Sequence, residues 1–287
     1  MNNGDKLHVI IKDLVGTMPT IELYDEDGVA EDGYYGNDPV IETYDVLFNT
    51  TDNPTKVYLY QVASKNSILL DVPEITNASA DIAHTQNKLW LYKAGGSTTI
   101  QEWDITLNPF TAIYNREITN IKSSSGLGAI NDTTLISFEY VDALNLKVYD
   151  TDIINAVAVN TFKYNATAGR VVTGDYILTT TDKLIVLNYS IDSPFPQYIT
   201  QYDYITGVLE FDIDISSVFT GFMQAYGLFE FDNEIYITGR TIVDLVVVGV
   251  IYKIDKTAPY ALTLFDTTVY GINGASQVPE QLTVHFT

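Results

Sequence analysis

An all-β fold, closed as a ring of five four-stranded units, is what this 287-residue sequence predicts, and three observations predict it. The first is composition: 46% apolar and 12% aromatic residues suffice for a large core, and abundant Thr, Tyr, Val, Ile and Asp suit pleated strands joined by polar turns. The second is an internal repeat. The third is the phase of that repeat, which leaves an incomplete unit at each end of the chain.

The repeat shows in two independent registers. An apolar strand ending in a large residue plus Asp occurs as IQEWD (Trp103, Asp104), LKVYD (Tyr149, Asp150), ITQYD (Tyr202, Asp203) and IYKID (Ile254, Asp255). VYLYQ sets Tyr60 and Gln61 at the matching positions, so the steps from Gln61 onward are 43, 46, 53 and 52 residues. A second unit, a polar turn followed by a strand, recurs as NKLWLY, DTTLISF, DKLIVLNY, NEIYITG and EQLTVHF. Its anchors Leu89, Leu135, Leu184, Ile235 and Leu282 are 46, 49, 51 and 47 residues apart. Both periods have the length of one four-stranded propeller blade. After each terminal Asp a turn leads into an alternating strand such as TAIYNREI or VLEFDIDI, read as the fourth strand of a blade paired as a hairpin with the third.

Four complete units fall at roughly 79–119, 124–164, 168–216 and 221–268. The N-terminal VYLYQVAS and SILLDVPEI supply strands three and four of a fifth unit, and the C-terminal GINGA and QLTVHF supply its first pair. The expectation is a five-bladed β-propeller over 54–287, its ring closed by N- and C-terminal strands sharing one blade, which leaves no open sheet edge. This organisation resembles the β-propeller superfamily, especially repeats carrying a Y-x-x-D or D-x-x-T-G turn after the third strand, with ITQYDYITG at residues 199–207 as the nearest match. The resemblance concerns architecture and is nearly silent about activity. In overall texture the chain also looks like a propeller associated with a bacteriophage virion or tail.

Residues 1–53 lie outside the repeat. KLHVIIKDLVG and PTIELYD read as strands, followed by the acidic loop DEDGVAEDGYYGND. The segment is expected to dock a partner, with Tyr24, Tyr34 and Tyr35 as contacts. Asp25, Asp27 and Asp32 form at best a weak calcium set: with Asp25 at position 1 of an EF-hand loop, Gly28 falls at 4 and Gly36 at 12, which breaks the ligand pattern. A solvated acidic turn is the plainer reading, and neither a metal nor a cofactor is expected.

The formal charge of −22, without a Lys/Arg stripe, repels a phosphate backbone and excludes nucleic acid as a partner. No run approaches the ~18 apolar residues of a membrane-spanning helix. There is no cysteine. The N-terminus does not read as a secretory signal.

The five innermost strands are read as ADIAH, GLGAI, RVVTG, MQAYG and GINGA. Their polar side chains Asp81, His84, Tyr226 and Asn273 are the candidate ligand contacts of an axial channel. His8, His84 and His285 are too far apart in the sequence to suggest a metal site. Asp81 is the one carboxylate in those strands, whereas glycoside hydrolysis needs two that face each other. No catalytic residue and no enzymatic activity are therefore expected.

The resulting expectation is a non-enzymatic structural or binding module of a virion, a phage tail or tail-tip component for assembly or host attachment. Its partners would be other virion proteins or a host-surface glycan or protein, and it would be made in the host cytoplasm. A carbohydrate-binding or glycosidase-like propeller, and a cytoplasmic peptide-binding scaffold, are the alternatives, with cytoplasmic or extracellular locations to match.

Overall fold

A computed structural model describes residues 8–12, 20–24, 41–93, 98–107, 110–121, 126–139, 142–152, 154–163, 170–179, 181, 183–190, 196–219, 224–255 and 261–285. Within these residues the regular structure is β-strand throughout. Strands β1 (His8–Lys12) and β2 (Thr20–Tyr24) pair as a separate antiparallel hairpin. The rest forms five four-stranded antiparallel sheets.

Four of those sheets are continuous in sequence. The first blade comprises β6 (Ser79–His84), β7 (Lys88–Lys93), β8 (Ile100–Leu107) and β9 (Phe110–Ile118). The second comprises β10 (Gly128–Asn131), β11 (Thr134–Glu139), β12 (Asp142–Asp150) and β13 (Val157–Lys163). The third comprises β14 (Arg170–Leu178), β15 (Lys183–Ser190), β16 (Gln197–Asp203) and β17 (Leu209–Asp214). The fourth comprises β18 (Gln224–Phe231), β19 (Glu234–Val243), β20 (Val246–Ile254) and β21 (Leu262–Thr268). The fifth, closing blade joins the chain's two ends in the order β22 (Ile272–His285), β3 (Ile41–Thr50), β4 (Val57–Gln61), β5 (Asn66–Leu70). The five-bladed propeller and its terminal closure are as the repeat predicts.

The closing blade is divided differently from the expectation. QLTVHF does not form a second strand; it prolongs the inner strand, where Leu282 pairs with Tyr44 and His285 with Ile41 after a register shift between Gln277 and Leu282. The second strand is β3, so the ring takes in residues 41–50 that the sequence reading placed outside it, in the segment 1–53. Asp45, Val46, Leu47, Phe48, Asn49 and Thr50 are all buried in β3. Such an unbroken buried run is the mark of a strand covered on both faces, and it shows no period-2 signal.

The burial pattern follows position in the blade. Central strands such as β7 (KLWLYK) and β15 (KLIVLNYS) are buried without a break, because neighbouring blades cover both faces. Outer strands such as β9 and β5 alternate or lie open. Five apolar clusters fill the five gaps between blades. Leu47, Leu59, Ile82, Leu91 and Trp103 join the closing blade to the first, and Trp90, Tyr92, Leu135 and Tyr149 join the first to the second. Ile136, Tyr176, Val186 and Tyr202 join the second to the third; Ile185, Ile199, Leu228 and Ile237 join the third to the fourth. Phe48, Tyr60, Phe229 and Ile251 complete the circle. The repeated aromatics Trp103, Tyr149 and Tyr202 thus pack between blades, each at most 5% exposed.

Candidate functional site

The first strands of the five blades, β22, β6, β10, β14 and β18, touch one another around the ring and line its axis. β22 and β6 run side by side in one direction, since Asn273 Nδ2 donates to the Ser79 carbonyl at 3.0 Å and Ser276 Oγ meets His84 Nδ1 at 2.7 Å. The four residues expected at the channel divide between its two ends and its middle.

At the end where the inner strands begin, Tyr226 and Asn273 meet Arg240 of β19. The guanidinium donates through Nη2 to the Tyr226 hydroxyl at 2.8 Å and through Nη1 to Asn273 Oδ1 at 3.1 Å, and lies 4.6 Å from the Tyr226 ring centre. Arg240 was not among the expected channel residues, because it stands on the second strand of its blade.

In the middle lie two buried carboxylates. Asp81 Oδ2 accepts the Leu127 amide of the second blade at 2.6 Å. Asp175 accepts the Tyr176 amide on Oδ1 at 2.7 Å and the Leu228 amide of the fourth blade on Oδ2 at 3.0 Å, with the Ala275 amide as a third donor. Each acid therefore ties its inner strand to that of the next blade. Burial raises both carboxyls well above the usual range, and the charge of Asp175 adds to the effect on Asp81. The premise that the axis carries a single carboxylate is corrected here. Asp175 was missed because RVVTG was taken to end the strand at Gly174, whereas β14 runs on to Leu178.

Toward the ends of β6, β10 and β14 the axis opens into a cavity of about 190 Å³. Its aliphatic wall is Leu127, Ile130, Ile136 and Ile177, with Ile130 45% exposed at the mouth. His84, Asp175, Tyr176, Thr179 and Ser276 supply its polar groups, and no Lys or Arg lines it among the described residues. His84 is 2% exposed and its Nε2 has no hydrogen-bond partner. Burial lowers the imidazole to about 3, which keeps it neutral across physiological pH. Ser276 also escaped the sequence reading, GINGA having been cut one residue short of it.

The remaining expected sites fall elsewhere. Tyr34, Tyr35, Asp25, Asp27 and Asp32 lie outside the described residues, and Tyr24 is described in its strand pairing alone. Among the described residues no group of three or more His, Asp or Glu is placed to hold a metal ion.

No family model and no curated protein matches the chain. Solved structures of similar fold include a Lactobacillus plantarum protein, 13% identical, with 79% of this chain and 82% of that one covered and a TM-score of 0.45. A Bacteroides uniformis protein provisionally assigned as a 6-phosphogluconolactonase is 9% identical, with 80% and 84% covered and a TM-score of 0.46. A bifunctional GH43-CE protein from Bacteroides eggerthii is 11% identical, with 86% of this chain but 36% of that one covered and a TM-score of 0.49. At such identities the likeness is one of fold. The class defined by fold and site is a five-bladed propeller with a small axial cavity.

The expectation of a virion module without enzymatic activity is corrected at this point. None of the similar structures named above is described as a particle component, and their likeness to this chain bears on fold alone. Within the chain itself, the argument against hydrolysis counted one axial carboxylate where two stand.

Proposed function

We propose that this propeller binds or processes a small neutral carbohydrate in its axial cavity. The observation that carries the reading is the buried His84, which lines the cavity with Nδ1 held by Ser276 and Nε2 unpartnered. An unsatisfied buried ring nitrogen is costly, and a ligand hydroxyl or carbonyl would satisfy it. The wall chemistry agrees: aliphatic surface beside a few convergent hydroxyl and imidazole groups suits the two-sided character of a sugar ring. A volume near 190 Å³ equals about six waters, room for one ring and not for a chain of them. With no Lys or Arg in the lining among the described residues and −22 on the protein, a phosphorylated sugar is disfavoured there.

The test is a thermal-shift and NMR titration with neutral monosaccharides, their lactones and the matching phosphate esters. A neutral monosaccharide or lactone at 100 times its Kd should stabilise the protein by about 2.7 kcal/mol. His84→Ala should abolish that gain, and the phosphate esters should give none. Turnover of the lactone that disappears in Ser276→Ala would establish processing. Binding of the phosphate esters alone, or binding that survives His84→Ala, would refute the proposal.

A further inference from the structure

Where the first blade meets the closing blade, two buried oxygens border one small space, and neither has a hydrogen-bond partner. Asn49 of β3 donates its Nδ2 to the Ser79 carbonyl at 3.2 Å, which fixes the orientation of the amide and turns its Oδ1 the other way. That Oδ1 has no hydrogen-bond partner, and neither has Asp81 Oδ1. A Cβ built on Gly274 of β22 would collide with Asp81 Oδ1 and lie 2.6 Å from Asn49 Oδ1, so both oxygens border the same small space. Asn49 is 0% and Asp81 1% exposed. Two acceptors cannot satisfy each other while both lack hydrogen, and the buried pair would be repulsive as drawn.

We propose that Asp81 carries a proton in the folded protein, donated from its carboxyl to Asn49 Oδ1, and that this shared proton latches the ring-closing seam. The latch is a property of the scaffold and does not rest on the carbohydrate reading. Asp175 is the other buried acid of the axis, and it plays a different part: both of its oxygens already accept amide hydrogens, whereas Asp81 has donors for one oxygen only. Burial and the charge of Asp175 favour the neutral form of Asp81, and the Leu127 and Ile82 amides oppose it. Around it stand the Asp175 carboxylate and the Tyr176 hydroxyl of β14, the Leu127 amide just before β10, the Asn49 carbonyl oxygen of β3 and the backbone of Gly274 of β22. On its own strand the Ile82 amide opposes protonation and His84 is neutral. None of these is a cation.

The direction of the pH effect follows from linkage. A carboxyl raised in the folded state binds more protons there than in the unfolded chain, whose Asp titrates near ~3.9. The latch is therefore complete below about that pH and is lost as pH rises through the folded value. Above it, the ionised Asp81 faces Asn49 Oδ1 without a donor.

The experiment compares the melting temperature of wild type and Asp81→Asn from pH 4 to 9, with the infrared spectrum of the wild type at pH 6 as an independent reading. In Asp81→Asn the new amide donates to Asn49 Oδ1 at every pH while its oxygen still accepts the Leu127 amide. The gap in melting temperature should shift steadily in favour of Asp81→Asn as pH rises. The wild type should show the carbonyl stretch of a protonated carboxylic acid that persists in Asp175→Asn. A gap that stays constant with pH, or a wild-type spectrum at pH 6 without that stretch, would overturn the proposal; the spectrum decides even if Asp81→Asn fails to fold.

Discussion

At the scale of single residues, carboxylates do three separate jobs in this propeller. Of those that close the repeat, two hold turns as the regular spacing implied: Asp150 Oδ1 accepts the Asp152 amide at 2.9 Å, and Asp203 Oδ1 accepts the Thr206 amide and hydroxyl at 2.8 and 2.7 Å, whereas Asp104 stands inside β8 and pairs with Lys88. Asp150→Ala should cost about 1 kcal/mol in chemical denaturation and leave ligand binding untouched. The Thr206 bonds and Lys183 hold the Asp203 carboxyl down at about 2. Its contribution is present above the unfolded value near ~3.9 and is lost as pH falls toward 2, so wild type and Asp203→Asn should converge in melting temperature at the acid end. Glu102 is a second kind, 0% exposed and surrounded by donors from Trp90, Lys88, Asn115 and Arg116. Nothing in IQEWD separates it from a solvated glutamate, because its partners arrive from the two flanking strands, β7 and β9. Asp81 and Asp175 are the third kind, legible as acids but not as a pair, since their partners are backbone amides of other blades.

Among the elements, the hairpins were easiest to read and the split blade hardest. Turn residues mark hairpins locally; TDNPT does join β3 to β4, but the other partner of β3, β22, lies more than 200 residues away and the buried run of β3 mimics any apolar segment. The β19–β20 hairpin departs from the usual turn chemistry. Asp244 and Leu245 both have positive φ, 49° and 67°, the geometry of a two-residue turn that favours Asn-Gly. Leu245 is 97% exposed in that left-handed conformation, where its Cβ is a strain and its side chain packs on nothing. Leu245→Gly should raise stability by roughly 0.5–1 kcal/mol, measured by urea unfolding at constant m-value. A loss of stability would mean that the exposed leucine makes a contact worth more than the strain.

Across the whole molecule, the ring is stabilised by five seams of similar construction, each shared between neighbouring blades and none complete within one blade. Opening one seam therefore weakens both blades that share it, and the closing blade is the one that truncation reaches first. Removing residues 1–50 deletes β3 and separates β22 from β4. The loss should approach the full folding free energy of about 5–15 kcal/mol, seen as disappearance of a single cooperative transition in calorimetry. Removing residues 1–38 spares β3 and should preserve that transition. This replaces the expectation that the whole of residues 1–53 lies outside the ring, since β3 is Ile41–Thr50.

The pairing of Ile41 with His285 sets the N-terminal end of β3 and the C-terminal end of β22 at the same end of their ladder. A tensile load applied through the two termini therefore reaches the closing blade at one edge and parts its hydrogen bonds one after another, like a zipper and unlike two strands sheared along their length. The clasp that resists heat as part of a cooperative ring would yield early to mechanical pulling, and the remaining four blades would then unwind in sequence from the opened gap.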